Sequence, residues 1–97
     1  MRVFFSHRAQ DDIAAIHAYL SARSPSGAKN VADRIRRTVD FIVAFAGGAE
    51  ATDVKGVRVK WVRGYPFKIF YATTKDAVTI LHVRSTSRRV VRSREIQ

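Results

Sequence analysis

The chain has 97 residues, close to the size of one small domain, and its 18 Lys and Arg against eight Asp and Glu give a formal net charge of +10. It has no cysteine, which excludes disulfides and thiolate metal sites, and no apolar run of the roughly 18 residues that a membrane helix needs. We therefore expect one domain over residues 1–97 that resides in the cytoplasm and has no membrane partner.

The N-terminal segment predicts a short strand followed by a helix. The apolar stretch RVFFS, residues 2–6, fits a strand. Apolar side chains then recur at helical spacing and predict a first helix over about residues 8–22. Either Ser6 or His7 is placed to cap its N-terminus.

A second helix is predicted directly after the first. Ser24 followed by Pro25 is typical of a helix start, and a broad apolar stripe continues the pattern over about residues 25–46. So short a break predicts that the two helices form an antiparallel hairpin. The segment 47–56 has no pattern that predicts an element.

The second half of the chain predicts three strands with short turns. Val57 to Trp61 alternates apolar and basic side chains, and residues 67–73 and 78–84 follow after turns at Gly64–Pro66 and Lys75–Asp76. The predicted fold class is therefore α+β: a strand, an antiparallel helical hairpin, then a three-stranded antiparallel meander with the helices packed on one sheet face.

The acidic and histidine residues predict no metal site and no cofactor site. Asp11 and Asp12 point about 100° apart on a helix, so they do not converge, and we interpret them as complementing the helix dipole. His7, His17 and His82 are scattered, with no second ligand at metal spacing, and are interpreted as structural.

The strongest functional signal is the basic predicted sheet. Residues 58–94 contain ten Lys and Arg and one acidic residue. Arg58 and Lys60 share a face by the period of two, and we expect Lys68 and Arg84 to add to the same side. Such an excess of charge favours a surface that binds an anionic partner.

Three segments resemble a known family: DDIAAIHAYLSARSP, GVRVKWVRGYPFKIFYAT and DAVTILHVRSTSRR. Together they resemble the ParE branch of the RelE/ParE toxin superfamily of type II toxin–antitoxin systems. The resemblance covers nearly the whole chain and implies the RelE/ParE-like fold described above. It also implies a hetero-oligomer with a cognate acidic, ParD-like antitoxin, whose carboxylates and apolar side chains would contact the basic and aromatic sheet.

The superfamily resemblance leaves two activities open. ParE-like members inhibit DNA gyrase, whereas RelE-like members are ribosome-dependent mRNA endonucleases that need no metal. Ser85 stands where RelE-like members often have His, and no Tyr follows Tyr71, which favours a gyrase inhibitor that is not an enzyme. If the chain is instead a nuclease, the resemblance implies catalytic roles for Arg58, Lys60, His82, Arg84 and Arg88.

A third reading is a nucleic-acid-binding module without toxicity, although no recognition motif of that class is present. The residues predicted to bind the target or the antitoxin are Arg58, Lys60, Trp61, Arg63, Tyr65, Lys68, Arg84, Arg88 and Arg89.

Overall fold

The structure is a computed structural model that describes residues 2–86. The predicted site residues Arg88 and Arg89 therefore lie outside the described residues. The elements run in the order β1 (Arg2–Phe5), α1 (His7–Ser21), α2 (Pro25–Ala44), a 3₁₀ turn (Ala46–Gly48), β2 (Glu50–Ala51), β3 (Val57–Trp61), β4 (Phe67–Thr73) and β5 (Ala77–Ser85).

This architecture confirms the predicted α+β class, with both helices preceding the meander. Serine hydroxyls begin the helices as expected. Ser6 Oγ accepts a hydrogen bond from the Ala9 N–H at 3.0 Å, and Ser24 Oγ accepts one from the Gly27 N–H at 3.1 Å. Capping of this kind satisfies backbone donors that have no partner in the first helical turn.

The sheet has five strands in the order β1-β5-β4-β3-β2. The antiparallel pairs β3–β4 and β4–β5 form the predicted meander. Two features were not predicted: β1 lies parallel to β5 at one edge, and the two-residue β2 pairs with β3 at the other. The long connection through both helices allows the parallel pairing of β1 with β5.

The core lies between the helices and one face of the sheet. Val31, Ile35 and Val39 of α2 are buried in one cluster with Ile69 and Tyr71 of β4, both of which are 0 % exposed. Burying each such side chain contributes roughly 1.5–3 kcal/mol to folding. Within residues 2–86, no helix is long and apolar enough to cross a membrane.

The pleat of β4 defines the two faces of the sheet. Phe67, Ile69 and Tyr71 are buried toward the helices, on what we call the helix face. Lys68 and Phe70 alternate with them and are only partly buried, so they lie on the opposite side, which we call the open face. Both helices contribute to the core on the helix face.

Candidate functional site

The four cations predicted to share one face lie on two faces. Arg58 is opposite Tyr71 and Lys60 is opposite Ile69 in the β3–β4 register. Directly opposed residues of an antiparallel pair project from the same side of a sheet. Arg58 and Lys60 therefore do share a face, as predicted, but it is the helix face.

Lys68 and Arg84 lie on the open face, so the prediction that they add to the side of Arg58 and Lys60 was wrong. Lys68 is opposite Trp61 on one side and Arg84 on the other. The physical reason is the parity of β4: its odd-numbered residues supply the buried apolar side chains, which turns Lys68 away from the helices.

The helix-face cations make contacts within the fold. Arg58 is half-buried, and its Nη1 donates a hydrogen bond of 2.7 Å to the Ala49 carbonyl. The Lys60 Nζ lies 4.7 Å from the centroid of the Phe41 ring on α2, a cation–π contact. These two side chains connect β3 to the segment before it and to α2.

Tyr71 binds the same segment between α2 and β3 that Arg58 contacts. Its hydroxyl donates a hydrogen bond of 2.7 Å to the Ala46 carbonyl. Burial raises the pKa of the Tyr71 phenol above its ordinary value of 10.0, and the charge of the Arg58 guanidinium opposes that rise. Tyr71 and Arg58 thus tie the segment that follows α2 to the sheet.

A row of three side chains crosses the open face at the far end of β3, β4 and β5; we call Trp61, Lys68 and Arg84 the cation–aromatic row. Trp61 is 49 % exposed, and the Lys68 Nζ lies 4.9 Å from its ring centroid. Lys68 and Arg84 are like charges placed directly opposite each other, an unfavourable pairing. Within residues 2–86, neither forms an ion pair with a carboxylate.

Further aromatic side chains lie on the open face beside this row. Phe70 stacks on His82 with ring centroids 5.6 Å apart and planes inclined by 20°. On β1, Phe4 is 47 % exposed, and the Arg2 guanidinium lies 5.3 Å from its ring centroid. The open face therefore carries aromatic rings paired with basic groups along much of its width.

His82 is held by a carboxylate from α1. Its Nδ1 lies 2.7 Å from Asp12 Oδ2, and the same oxygen accepts a hydrogen bond of 2.9 Å from the Val83 N–H. Burial alone raises the pKa of Asp12, but the hydrogen bonds from His82 and Val83 and the positive charge of Arg8 outweigh it. The pKa of Asp12 therefore lies below its ordinary value of 3.8.

The position of Asp12 corrects one interpretation and supports another. The first turn of α1 contains no acidic residue, and the dipole effect fades beyond that turn. The helix-dipole role predicted for Asp12 was therefore wrong, because its carboxylate binds the edge of β5. This contact supports the structural interpretation of His82. Separately, no group of three or more His, Cys, Asp or Glu within residues 2–86 is placed to hold a metal ion.

The remaining predicted site residues lie in the turn between β3 and β4. Arg63 is exposed and precedes Gly64, whose φ of 84° is in the left-handed region that favours glycine. Tyr65 is half-buried and packs against the core. Arg63 is therefore accessible to a partner, whereas much of the Tyr65 ring is engaged in the fold.

A groove of about 490 Å³ lies between the two helices, away from the sheet cations. Its walls include Ile13 and Leu20 of α1 and Val31 of α2, and the exposed Ala18 lies at its surface. The groove is almost entirely apolar, and such a shape between two helices suits the apolar face of a third.

The sequence analysis did not identify Asp12, Phe70, Phe4 or this groove as parts of a site. The alternation within β4 was a usable signal for Phe70, because it places Phe70 with Lys68. The partnership of Asp12 with His82 joins residues 70 positions apart, so no local pattern indicates it.

Comparisons with known proteins identify a family by sequence and a shared fold by structure. The family model described as the ParE toxin of type II toxin–antitoxin systems matches residues 3–90. A structure from the chromosomal ParDE toxin–antitoxin system of P. aeruginosa is similar with a TM-score of 0.78 at 22 % identity, covering 89 % of this chain and 96 % of that one. A conserved hypothetical protein from Helicobacter pylori, solved in solution, has a TM-score of 0.58 at 17 % identity, covering 90 % and 96 %. No curated protein matches the sequence significantly.

Proposed function

The chain belongs to the ParE toxin family of type II toxin–antitoxin systems, and from this premise we propose that it inhibits DNA gyrase in the cytoplasm and is neutralised by an acidic antitoxin. The proposal has two parts, the target and the antitoxin, and each is supported by a different feature of the molecule. A single domain over residues 1–97 carries both in this proposal.

The choice of gyrase over mRNA as the target rests on where the structure places the residues that a nuclease would use. Of the four described members of that set, Arg58 and Lys60 lie on the helix face and Arg84 lies on the open face, while the His82 Nδ1 is held by Asp12 at the edge of β5. RNA cleavage needs an acid and a base within hydrogen-bond reach of one phosphodiester. The sheet separates Arg84 from Arg58 and Lys60, and His82 is already engaged by Asp12, which disfavours a nuclease and supports a toxin that acts by binding.

The state of His82 supports the same choice. Its Nδ1 is engaged by Asp12 and its ring is stacked on Phe70. Arginine has a pKa above 12 and is a poor base, so Arg84 cannot replace a histidine in proton transfer.

The antitoxin part is supported by the apolar groove between α1 and α2 and by the net charge of +10. An amphipathic helix binds such a groove through its apolar face. Carboxylates beside that helix would be attracted by the basic chain over distances of about a Debye length, roughly 8–10 Å at 0.1–0.15 M salt.

The target is tested by measuring supercoiling by purified gyrase beside mRNA cleavage in a translating extract. We expect loss of supercoiling without codon-spaced cuts. The informative variant is His82→Asn, because an asparagine amide still donates to Asp12 but carries no titratable proton. It should retain gyrase inhibition; codon-spaced cuts that vanish in this variant, with supercoiling unaffected, would establish the nuclease instead.

The antitoxin is tested by co-purifying the chain with the product of the neighbouring gene. Ala18→Glu places a charge in the groove, while Ala15→Glu places the same charge on an exposed position of α1 outside it. We expect the first to weaken the complex and the second to leave it intact. Elution of the wild-type chain alone, with the neighbour present in equal amount, would refute neutralisation by that protein.

A further inference from the structure

We propose that the open face of the sheet binds single-stranded nucleic acid, with bases stacking on Trp61 and Phe70 and phosphates contacting Lys68 and Arg84. This binding activity is separate from the gyrase and antitoxin proposals and involves no cleavage. It assigns a ligand to side chains that are not part of the hydrophobic core.

The charges of the open face call for an anionic ligand. Lys68 and Arg84 face each other across β4 and β5 with no carboxylate partner within residues 2–86. Among the described strand residues, the sole acidic one is Glu50, which lies opposite Val59 on the open face but in the edge strand β2, two strands away from Lys68. A bound phosphate would relieve the repulsion between the two facing cations, since it attracts both.

The aromatic rings determine which anion fits. Trp61 is half exposed beside Lys68, and Phe70 follows Lys68 two residues later on the same face of β4, with its ring stacked on the His82 imidazole. Proteins that bind single strands combine a positively charged surface with aromatic rings on which successive bases stack. A nucleotide supplies both partners, a planar base and a phosphate, in every repeat.

An acidic polypeptide is the competing ligand for such a surface. It would satisfy Lys68 and Arg84 but gains no stacking on Trp61, because carboxylate side chains have no ring. Quenching of the Trp61 fluorescence therefore distinguishes a nucleic acid from an acidic polypeptide.

The test uses the intrinsic fluorescence of the full-length chain, whose single tryptophan is Trp61. The probes are oligothymidylate and oligouridylate of about a dozen nucleotides, within the range of about 4–16 that one small domain covers. We expect both oligonucleotides to quench the Trp61 fluorescence with similar affinity, because the proposed contacts are to bases and phosphates and none of them is to a 2′-hydroxyl. Polyglutamate of equal charge should leave the fluorescence unquenched.

A matched pair of substitutions locates the site. On the open face, Trp61→Leu should weaken binding of a labelled oligonucleotide roughly 5- to 150-fold, as expected for loss of one stacked base. Lys68→Gln should reduce the slope of log Kd against log salt by about 0.7, the value for one phosphate contact on a single strand. The control is the other lysine–aromatic pair, Lys60 and Phe41 on the helix face, where Lys60→Gln and Phe41→Leu should change neither quantity.

Three results would overturn the proposal. The first is an absence of quenching by either oligonucleotide at low salt. The second is quenching by polyglutamate at the same affinity, which would make an acidic peptide the ligand. The third is a loss of affinity in the Lys60 and Phe41 variants that equals the loss in the Trp61 and Lys68 variants, which would indicate only nonspecific attraction to the basic chain.

Discussion

At the scale of single residues, Asp12 joins the helical layer to the sheet. Its Oδ2 accepts hydrogen bonds from His82 Nδ1 and from the Val83 N–H, while Arg8 lies 3.6 Å from its Oδ1. The pairing of β1 with β5 ends at Ile80. Beyond that residue, the Asp12 carboxylate takes the place of a strand partner by accepting a hydrogen bond from the Val83 N–H at the edge of β5. One side chain stabilises both an unpaired strand edge and the orientation of a histidine.

We expect Asp12→Asn to lower the free energy of unfolding at neutral pH by roughly 1.5–3 kcal/mol, the range for hydrogen bonds to a charged group. Because the pKa of Asp12 is lowered by folding, its contribution is present above the ordinary pKa and is lost as the pH falls through the lower native value. The difference between wild type and variant should therefore be fully present above pH 3.8 and should shrink as the pH falls below that value, as measured by urea unfolding across a pH series.

Asp11→Asn is the matched control for this prediction, because it removes a neighbouring charge that is exposed. It should change stability by less than about 0.5 kcal/mol, as surface substitutions usually do. Equal losses in the two variants, or a loss in Asp12→Asn that persists unchanged in acid, would show that the carboxylate is not held as described.

At the scale of elements, the two helix caps differ in what they connect. Ser24 Oγ accepts from the Gly27 N–H within its own helix, whereas Ser6 Oγ both caps α1 and donates a hydrogen bond of 2.8 Å to the Leu81 carbonyl of β5. That carbonyl belongs to the point where the β4–β5 register shifts, between Phe70 and Tyr71. Ser6 therefore attaches the start of the helical layer to an irregular part of the central pairing.

We expect Ser6→Ala to cost more stability than Ser24→Ala. Loss of a serine cap costs about 1 kcal/mol, and Ser6→Ala also leaves the partly buried Leu81 carbonyl without its donor, at a further cost of roughly 1–3 kcal/mol. Thermal and urea unfolding of the two variants side by side measures the difference. Equal losses would mean that water or another donor satisfies the Leu81 carbonyl.

The elements also show how far the sequence determines the fold and the site. Periodicity located both helices and the three strands of the meander, because each buries one face and repeats its apolar residues accordingly. The parallel placement of β1 was not predictable in this way, since it depends on pairing with a strand more than seventy residues later. The face of β3 was not predictable either: Arg58 and Lys60 lie on the helix face, where their side chains contact the Ala49 carbonyl and the Phe41 ring.

At the scale of the whole molecule, charge is divided between the two layers. Residues 7–44, which form the helical layer, carry six Lys and Arg against four Asp, whereas residues 57–86 carry six against one. The ion pairs among the described residues involve helix acids, such as Arg36 with Asp33 and Asp40. The sheet and its turns therefore hold most of the uncompensated charge in this part of the chain, and Lys68 and Arg84 carry the share of it that lies on the open face.

We expect this imbalance to make the melting temperature of the free chain rise with moderate salt. Sodium chloride at 0.1–0.15 M screens repulsion beyond about 8–10 Å, and about 1 kcal/mol of relieved repulsion corresponds to roughly 4–8 °C for a domain of this size. The double variant Lys68→Gln with Arg84→Gln removes the facing cations, so its melting temperature should rise less with salt than that of the wild type. Sodium phosphate at matched ionic strength separates screening from binding, because a phosphate held by the cation–aromatic row adds stabilisation only in the wild type. A melting temperature that is unchanged or lowered by sodium chloride would show that self-repulsion does not limit the stability of this fold.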